Sequence, residues 1–357
     1  MILYGTLGGS CQEHETVRAL FRAGMTGARL NLSHGPLDAF ADALTGFWSA
    51  AEEEGIRPRL VIDLQGPELR AGRLSQPVPL AEGGRAVLVR EGGSTGPAVS
   101  RIQHESVPAG AEILPEAELA AIPVPKPVLD TVRPGDLVSL DDSALLLEVL
   151  DADSVGAECR VLRGGTLLSR KSLAVLGKTV PMPPLTAEDE GNLSQAVRFG
   201  VTDILQPFVR GRSDVEALRA ALVRAGAPGV RIMAKIENRQ GLDRLDEIAD
   251  AADEICIARG DLGNGLPLWE VPRYQKRIAA HCRAVGRPFC VATQLLWSMQ
   301  TRSVPTRAEM CDIYNAVLDG ASGLMLTGET AAGQYPAEAM AYLARAARTA
   351  MEDMEER

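Results

Sequence analysis

The chain has 357 residues, 46% hydrophobic and 24% charged, which suits a soluble globular protein of about two domains. Its net charge of −10 excludes a general nucleic-acid or membrane-surface role, since either needs a basic face. No stretch approaches the roughly 20 apolar residues that span a bilayer, no basic n-region marks a signal peptide, and six scattered cysteines without a CxxC pair suit reduced thiols in a cytoplasm.

Short β-rich runs alternate with helical runs from the start of the chain. The pattern predicts strands at Ile2–Thr6, Ala28–Leu32, Leu60–Leu64 and Thr202–Phe208, then at Arg231–Glu237, Glu254–Arg259, Pro288–Gln294 and Gly323–Glu329. Eight is the number that a closed parallel (β/α)8 TIM barrel requires. Runs such as LVID and GLMLTG are apolar without alternation, as expected of a sheet buried on both faces. Ser10-Cys-Gln-Glu13 reads as a capping box opening a helix that stops near Gly24. Further helices are predicted over Asp38–Glu54, Ser213–Arg224, Arg307–Leu318 and from about Ala337 onward, the first three stopped by Gly55, Gly226 and Gly320.

One interval breaks the rhythm. Over a hundred residues separate the third and fourth strands, far more than a crossover helix needs. Residues 72–169 are rich in Gly, Pro and Val and read as a mostly β domain inserted into the barrel of 1–71 and 170–357. Within it, VRPGDLVSLDDSALLLEVL predicts two strands around a turn at Asp141-Asp142-Ser143.

In such a barrel the functional residues stand at the C-terminal ends of the strands. Here nearly every strand ends on polar groups: Arg29, Asn31, Ser33 and His34 after the second, Asp63 to Arg70 after the third, and Lys235 with Glu237 on the fifth. The sixth ends in Arg259-Gly260-Asp261, the seventh in Thr293-Gln294 and the eighth in Thr327-Gly328-Glu329. Lys235 and Glu237 alternate along a strand and therefore point to one side. They form either a structural ion pair or part of a site in which Glu237 and Asp261 hold a divalent cation and Lys235 faces a transferring group. Gly260 lets its backbone N–H lie against an anion, and Arg29 and Arg70 offer forked donors for phosphate. Without a Cys–His or Ser–His pair, the set suits metal-assisted phosphoryl or enolate chemistry and not acyl transfer. There is no GxxxxGK[ST] loop, and GDLGNG lacks the dinucleotide spacing. His14, His104 and His281 read as ordinary surface residues, the arginines of Arg210–Arg224 and Arg345–Arg348 as solvated helix faces, and Met299 and Met310 as packing.

These residues lie in blocks that resemble pyruvate kinase. VRIMAKIENRQGL at 230–242 matches that family's segment around its catalytic lysine. GTLGGS, GARLNLSHG, DLQGPELRAG, ARGDLG, VATQLLWSM, PTRAEMCDIYNAVLDGA and LTGETAAGQYP follow in the family's order, and GDLVSLDDSALLLEV is similar to its inserted β-barrel lid. The resemblance implies phosphoryl transfer between phosphoenolpyruvate and ADP, giving pyruvate and ATP. Lys235 would stabilise the phosphoryl group in transit, with Arg29 on its oxygens, and Glu237 and Asp261 would bind Mg2+ or Mn2+. Gly260, Asp261 and Thr293 would hold the substrate carboxylate, and Thr293 with water would serve protonation at carbon. Arg29, His34, Arg70 and Lys171 would face the nucleotide, while Asn31, Ser33, Asp63 and the Leu64 carbonyl would form a K+ site. A homo-oligomer built through the barrel is compatible with this reading.

The chain also departs from the family. Leu64-Gln65 replaces a Thr-Lys pair, as in members that work without potassium, yet Glu68 stands where those carry lysine, which leaves the K+ requirement open. Gln206-Pro207 replaces Ala-Ser, Asn264-Gly265 replaces Ile-Glu, Gly9 replaces proline, and Trp297 stands where an acidic residue is common. Family members continue for roughly another domain's length, about a hundred residues, so the expectation is of no sugar-phosphate regulatory domain. Two other functions share the same residues: a metal-dependent pyruvate-enolate lyase or aldolase, and a catalytically weakened phosphoenolpyruvate-binding regulator.

Overall fold

The computed structural model describes residues 1–11, 13–92, 120–141, 143–153, 155–178, 180–265 and 267–356. Gln12, His104 and Asp142, singled out above, lie outside the described residues. The chain divides into two compact units, one of Met1–Pro67 with Pro184–Arg357 and the other of Glu68–Pro183.

The first unit is a closed parallel barrel of eight strands. They are β1 (Ile2–Leu7), β2 (Gly27–Asn31), β3 (Arg59–Asp63), β4 (Asp203–Gln206), β5 (Arg231–Ile236), β6 (Glu254–Ala258), β7 (Phe289–Ala292) and β8 (Gly323–Met325). Each pairs with its chain neighbour, and β1 closes the ring against β8 with Ile2 opposite Gly323. The crossover helices are α1 (His14–Arg22), α2 (Ala41–Glu53), α3 (Ala187–Leu193) and α4 (Arg212–Arg224), then α5 (Leu245–Ala251), α6 (Val271–Ala284), α7 (Arg307–Leu318) and α8 (Pro336–Glu355). No described helix is long and apolar enough to cross a membrane.

Side-chain parity makes the barrel interior three-layered. Outward residues such as Leu60, Ile62, Ile232 and Ile255 pack against the helices in one large apolar core. Inward residues Val61, Leu205, Met233, Cys256, Cys290 and Met325 form a second, separate core within the ring. Two residues further along the same inward rows come Asp63 and Lys235, and two residues back come Arg59, Asp203, Arg231 and Glu254. The barrel therefore has a charged floor, an apolar middle and a charged mouth.

The helix ends show which local signals act. The α7 start is a capping box in which Thr306 and Glu309 exchange side-chain and backbone bonds, and Thr186 with Asp189 forms another at α3. The box expected at Ser10–Glu13 does not form: α1 begins at His14, and its N-cap Glu13 makes no side-chain capping bond. Gly9–Cys11 is instead a separate 3-10 turn, held by the Cys11 thiol donating to the Thr6 carbonyl at 3.4 Å.

In the second unit the described strands form a six-stranded sheet and a two-stranded ribbon. Leu137–Leu140 and Leu145–Ala152 are antiparallel around the turn at Asp141 and Ser143, whose φ angles are 51° and 69°. The unit's limits lie outside the expected 72–169 for a plain reason. Arg70 bridges to Ser172, and Leu173–Val175 pairs with Leu137–Leu140, so both flanks are tied into this sheet.

Candidate active site

At the carboxyl end of the barrel four charged side chains form one contiguous run. Arg29 on β2 donates through Nε and Nη2 to Asp63 Oδ2 at 2.9 and 2.6 Å. The other Asp63 oxygen lies 3.7 Å from Lys235 Nζ, which in turn lies 3.1 Å from Glu237 Oε2. Asp63 is 2% exposed and Glu237 3%. Arg29 Nη1 also donates to Thr6 Oγ1 at 3.2 Å, so β1 joins the run. Thr6 escaped the sequence reading, although its inward parity on β1 is the signal that finds it.

Glu237 is fixed from behind. The Phe208 N–H donates to its Oε1 at 2.6 Å, and Phe208 itself sits at φ 54°, a costly conformation for a bulky residue. Asp63 Oδ1 and Glu237 Oε2 remain buried without a hydrogen bond, despite the nearby ammonium. Burial would lower the Lys235 pKa, but Asp63, Glu237 and Asp261 together outweigh it and hold the ammonium charged, well above its ordinary value. The same burial, with Asp261 and Asp63 adding repulsion against the pull of Lys235, pushes Glu237 up to about 7.

The buried Glu237 oxygen that lacks a donor is what a divalent cation would satisfy. Among the described residues no group of three or more His, Cys, Asp or Glu is arranged to hold a metal. Magnesium asks for less, being bound through one or two carboxylates plus substrate oxygens and water. Asp261, exposed in the first turn of the short helix Arg259–Gly265, stands close enough to raise the pKa of both Glu237 and Lys235.

Gly260 and Thr293 meet beside this run. The Gly260 N–H donates to Thr293 Oγ1 at 2.9 Å, and that hydroxyl donates to the Ala292 carbonyl at 2.5 Å. Thr293 and Gln294 have φ of 69° and 55°. Left-handed backbone at a β-branched residue costs on the order of 1–3 kcal/mol and persists only where surroundings enforce it. Arg259 supplies part of that enforcement by donating to the Thr293 carbonyl through Nε and Nη2 at 3.1 and 2.6 Å. Glu329, fully buried, accepts the Leu296 N–H at 3.1 Å and that of Thr327 at 2.8 Å, tying the loops after β7 and β8 together.

The remaining sequence-predicted residues are not part of the contiguous run. Asn31 accepts the Ser33 N–H at 3.2 Å in a local turn, with Ser33 and His34 exposed. Leu64 donates its N–H to the Leu205 carbonyl at 3.2 Å, and Gln65 Nε2 donates to the Leu32 carbonyl at 2.9 Å. Arg70 and Lys171 belong to the second unit. There Arg70 pairs with Glu68 at 2.7 Å and Lys171 with Asp141 at 2.8 Å.

Comparison with known proteins agrees on one family. The model for the barrel domain of pyruvate kinase matches residues 2–340. Pyruvate kinase of Geobacillus stearothermophilus is 36% identical over 338 residues, 94% of this chain and 54% of that protein. That of Aeropyrum pernix is 35% identical over 343 residues, 96% of this chain and 69% of its own length. The Mycobacterium tuberculosis enzyme is 37% identical over 342 residues, 95% and 68%. The chain thus spans about half of the first of these relatives and about two thirds of the others.

Proposed function

The chain belongs to the pyruvate kinase family, and from that premise we propose that it transfers the phosphoryl group of phosphoenolpyruvate to ADP. The bond from phosphorus to the enol oxygen breaks, a bond to a terminal β-phosphate oxygen of ADP forms, and the released enolate takes one proton at carbon to give pyruvate. The observation that carries this reading is the run Arg29–Asp63–Lys235–Glu237 at the ends of β2, β3 and β5. It sets two cations against buried carboxylates in a low-dielectric mouth, where preformed charge stabilises a transition state most.

In this reading Lys235 and Arg29 face the oxygens of the phosphoryl group in flight. Asp63 holds Arg29 in place through one oxygen that accepts from Nε and Nη2, and balances Lys235 with the other. The Gly260 N–H and the Thr293 hydroxyl, paired with each other here, exchange that bond for the substrate carboxylate, so substrate binding opens a contact already aligned. Glu237 and Asp261 would hold Mg2+ or Mn2+, which when bound neutralises charge on the phosphoryl and enolate oxygens. Asn31, Ser33, Asp63 and the Leu64 carbonyl would form the K+ site, and His34, Arg70 and Lys171 would serve the nucleotide. The cytoplasm is the proposed location.

The test is turnover of phosphoenolpyruvate and ADP by the purified protein with Mg2+ or Mn2+, with and without K+. Pyruvate and ATP formed in equal amounts support the proposal. A folded chain inactive under every condition sinks it, and metal-dependent exchange of pyruvate methyl protons without transfer would point to enolate chemistry alone.

A further inference from the structure

We propose that Arg259, anchored by Asp312, is a positioning residue for Thr293: it holds the backbone in the left-handed conformation that aims the hydroxyl at the substrate carboxylate. The inference rests on the function proposed above for its substrate, but its geometry stands apart from that reading.

Thr293 is an unfavourable residue for φ 69°, and its neighbour Gln294 at φ 55° repeats the problem. Neither is a glycine, so the loop after β7 does not adopt this path by local preference. What opposes relaxation is a clasp between the ends of β6 and β7, made in both directions. The Gly260 backbone N–H donates to the Thr293 side chain, and the Arg259 side chain donates twice to the Thr293 backbone carbonyl. Rotation of Thr293 to negative φ would carry its carbonyl away from the guanidinium and its hydroxyl away from Gly260.

The guanidinium is itself held in place. Its third nitrogen, Nη1, donates to both oxygens of Asp312 on α7 at 2.9 and 2.7 Å and lies 3.4 Å from Gln275 Oε1 on α6. The side chain is 12% exposed, so these bonds are sheltered from water. One planar fork therefore links two outer helices to the main chain of the active-site loop. Lysine, with a single compact ammonium on a flexible stem, cannot span the carbonyl and the carboxylate in that fixed plane. The bonds of the Arg259 guanidinium run to Thr293, Gln275 and Asp312, so its effect on the site passes through Thr293.

A double-variant cycle tests this on the full chain. Arg259→Lys and Asp312→Asn should each lower kcat/KM for phosphoenolpyruvate by about 10- to 100-fold, the loss expected from a displaced reacting group. The KM for ADP should change less than about twofold, since uniform loss of structure would move both. In a Thr293→Ala background both substitutions should cost less than about twofold, because no hydroxyl remains to be aimed. Losses that multiply in the double variants overturn the proposal, as does a pair of single variants with unchanged kcat/KM. Should Arg259→Lys fail to fold, Asp312→Asn, on a partly exposed helix face, reads the same outcomes. If the wild-type chain turns over no phosphoenolpyruvate, the functional reading fails by itself. A crystal structure of Asp312→Asn or Arg259→Lys then decides: Thr293 at negative φ supports the clasp, and Thr293 unchanged overturns it.

Discussion

Arg59 Nη1 lies 3.2 Å from Glu254 Oε2, joining β3 to β6 at the amino-terminal end of the barrel. Arg231 completes the arrangement, 3.2 Å from Glu254 and 3.3 Å from Asp203, so the floor alternates positive and negative charge across four consecutive strands. Glu254 and Asp203 are 2% and 0% exposed. Burial raises the Glu254 pKa, and the two arginines offset part of that rise. Removing one member of a buried ion set leaves the others uncompensated. Glu254→Ala should therefore cost about 3–5 kcal/mol in denaturant unfolding. Steady-state kinetics below the melting range should stay as in the wild type, because the active end lies at the opposite face. A variant of full stability, or one folded but slow, contradicts this division.

Lys235→Met removes the ammonium that faces three carboxylates. Turnover should fall by at least about 100-fold, the scale for one lost transition-state donor. Manganese binding, followed by electron paramagnetic resonance, should persist or tighten, since the carboxylates lose a competing cation. Near-normal activity would refute the role given to Lys235.

Glu309 should show its value only while ionised. Its carboxylate accepts from the Ser298 N–H and hydroxyl at 2.7 and 2.6 Å and from the Thr306 N–H at 2.7 Å. Burial works to raise its pKa, but these donors win and hold it below the ordinary glutamate value. A carboxyl depressed in the folded state stabilises above its unfolded pKa of about 4.3, and loses that contribution as pH falls through the lower folded value. Glu309→Gln should be less stable than the wild type by about 1 kcal/mol at pH 7, with the gap closing on acidification below about pH 4. Urea titrations at both pH values read this; a gap independent of pH counts against it.

Gly66 has no room for a side chain. It sits at φ 62°, and a Cβ there would meet Pro207 Cγ at 2.4 Å. Gly66→Ala should destabilise by about 2 kcal/mol or more, combining backbone strain with overpacking. Gly9→Ala, whose Cβ would meet nothing within 4 Å, serves as the control and should stay within about 0.5 kcal/mol. Equal melting temperatures for the two variants would remove the steric argument.

The barrel was legible because its strands are buried on both faces and its crossover helices stop at glycines, both local signals. Arg307–Leu318 matches its prediction because Thr306 and Glu309 lie in the spacing of a capping box. Ser10 and Glu13 have the same spacing, but there the Thr6 and Gly8 carbonyls engage Cys11 and a tight turn prevails. Inward parity found Lys235 and Glu237 for the same reason that it places Asp63. Asp312 and Asp189 were invisible. Each lies on a helix where a polar residue is ordinary, and each matters through a partner distant in sequence: Arg259 for one, the Gln65 N–H at 3.1 Å for the other.

The ring of strands closes only when β8 reaches β1, and the Thr6 N–H bonds to the hydroxyl of Thr330, 324 residues away. At synthesis rates of about 5–20 residues per second, β1 waits roughly 16–65 s on the ribosome before its partner exists. Throughout that interval one edge of β1 offers unpaired N–H and C=O groups to any other nascent strand. The barrel, which has no edge once finished, is therefore most exposed to mispairing while it is being made, and slower translation lengthens that exposure.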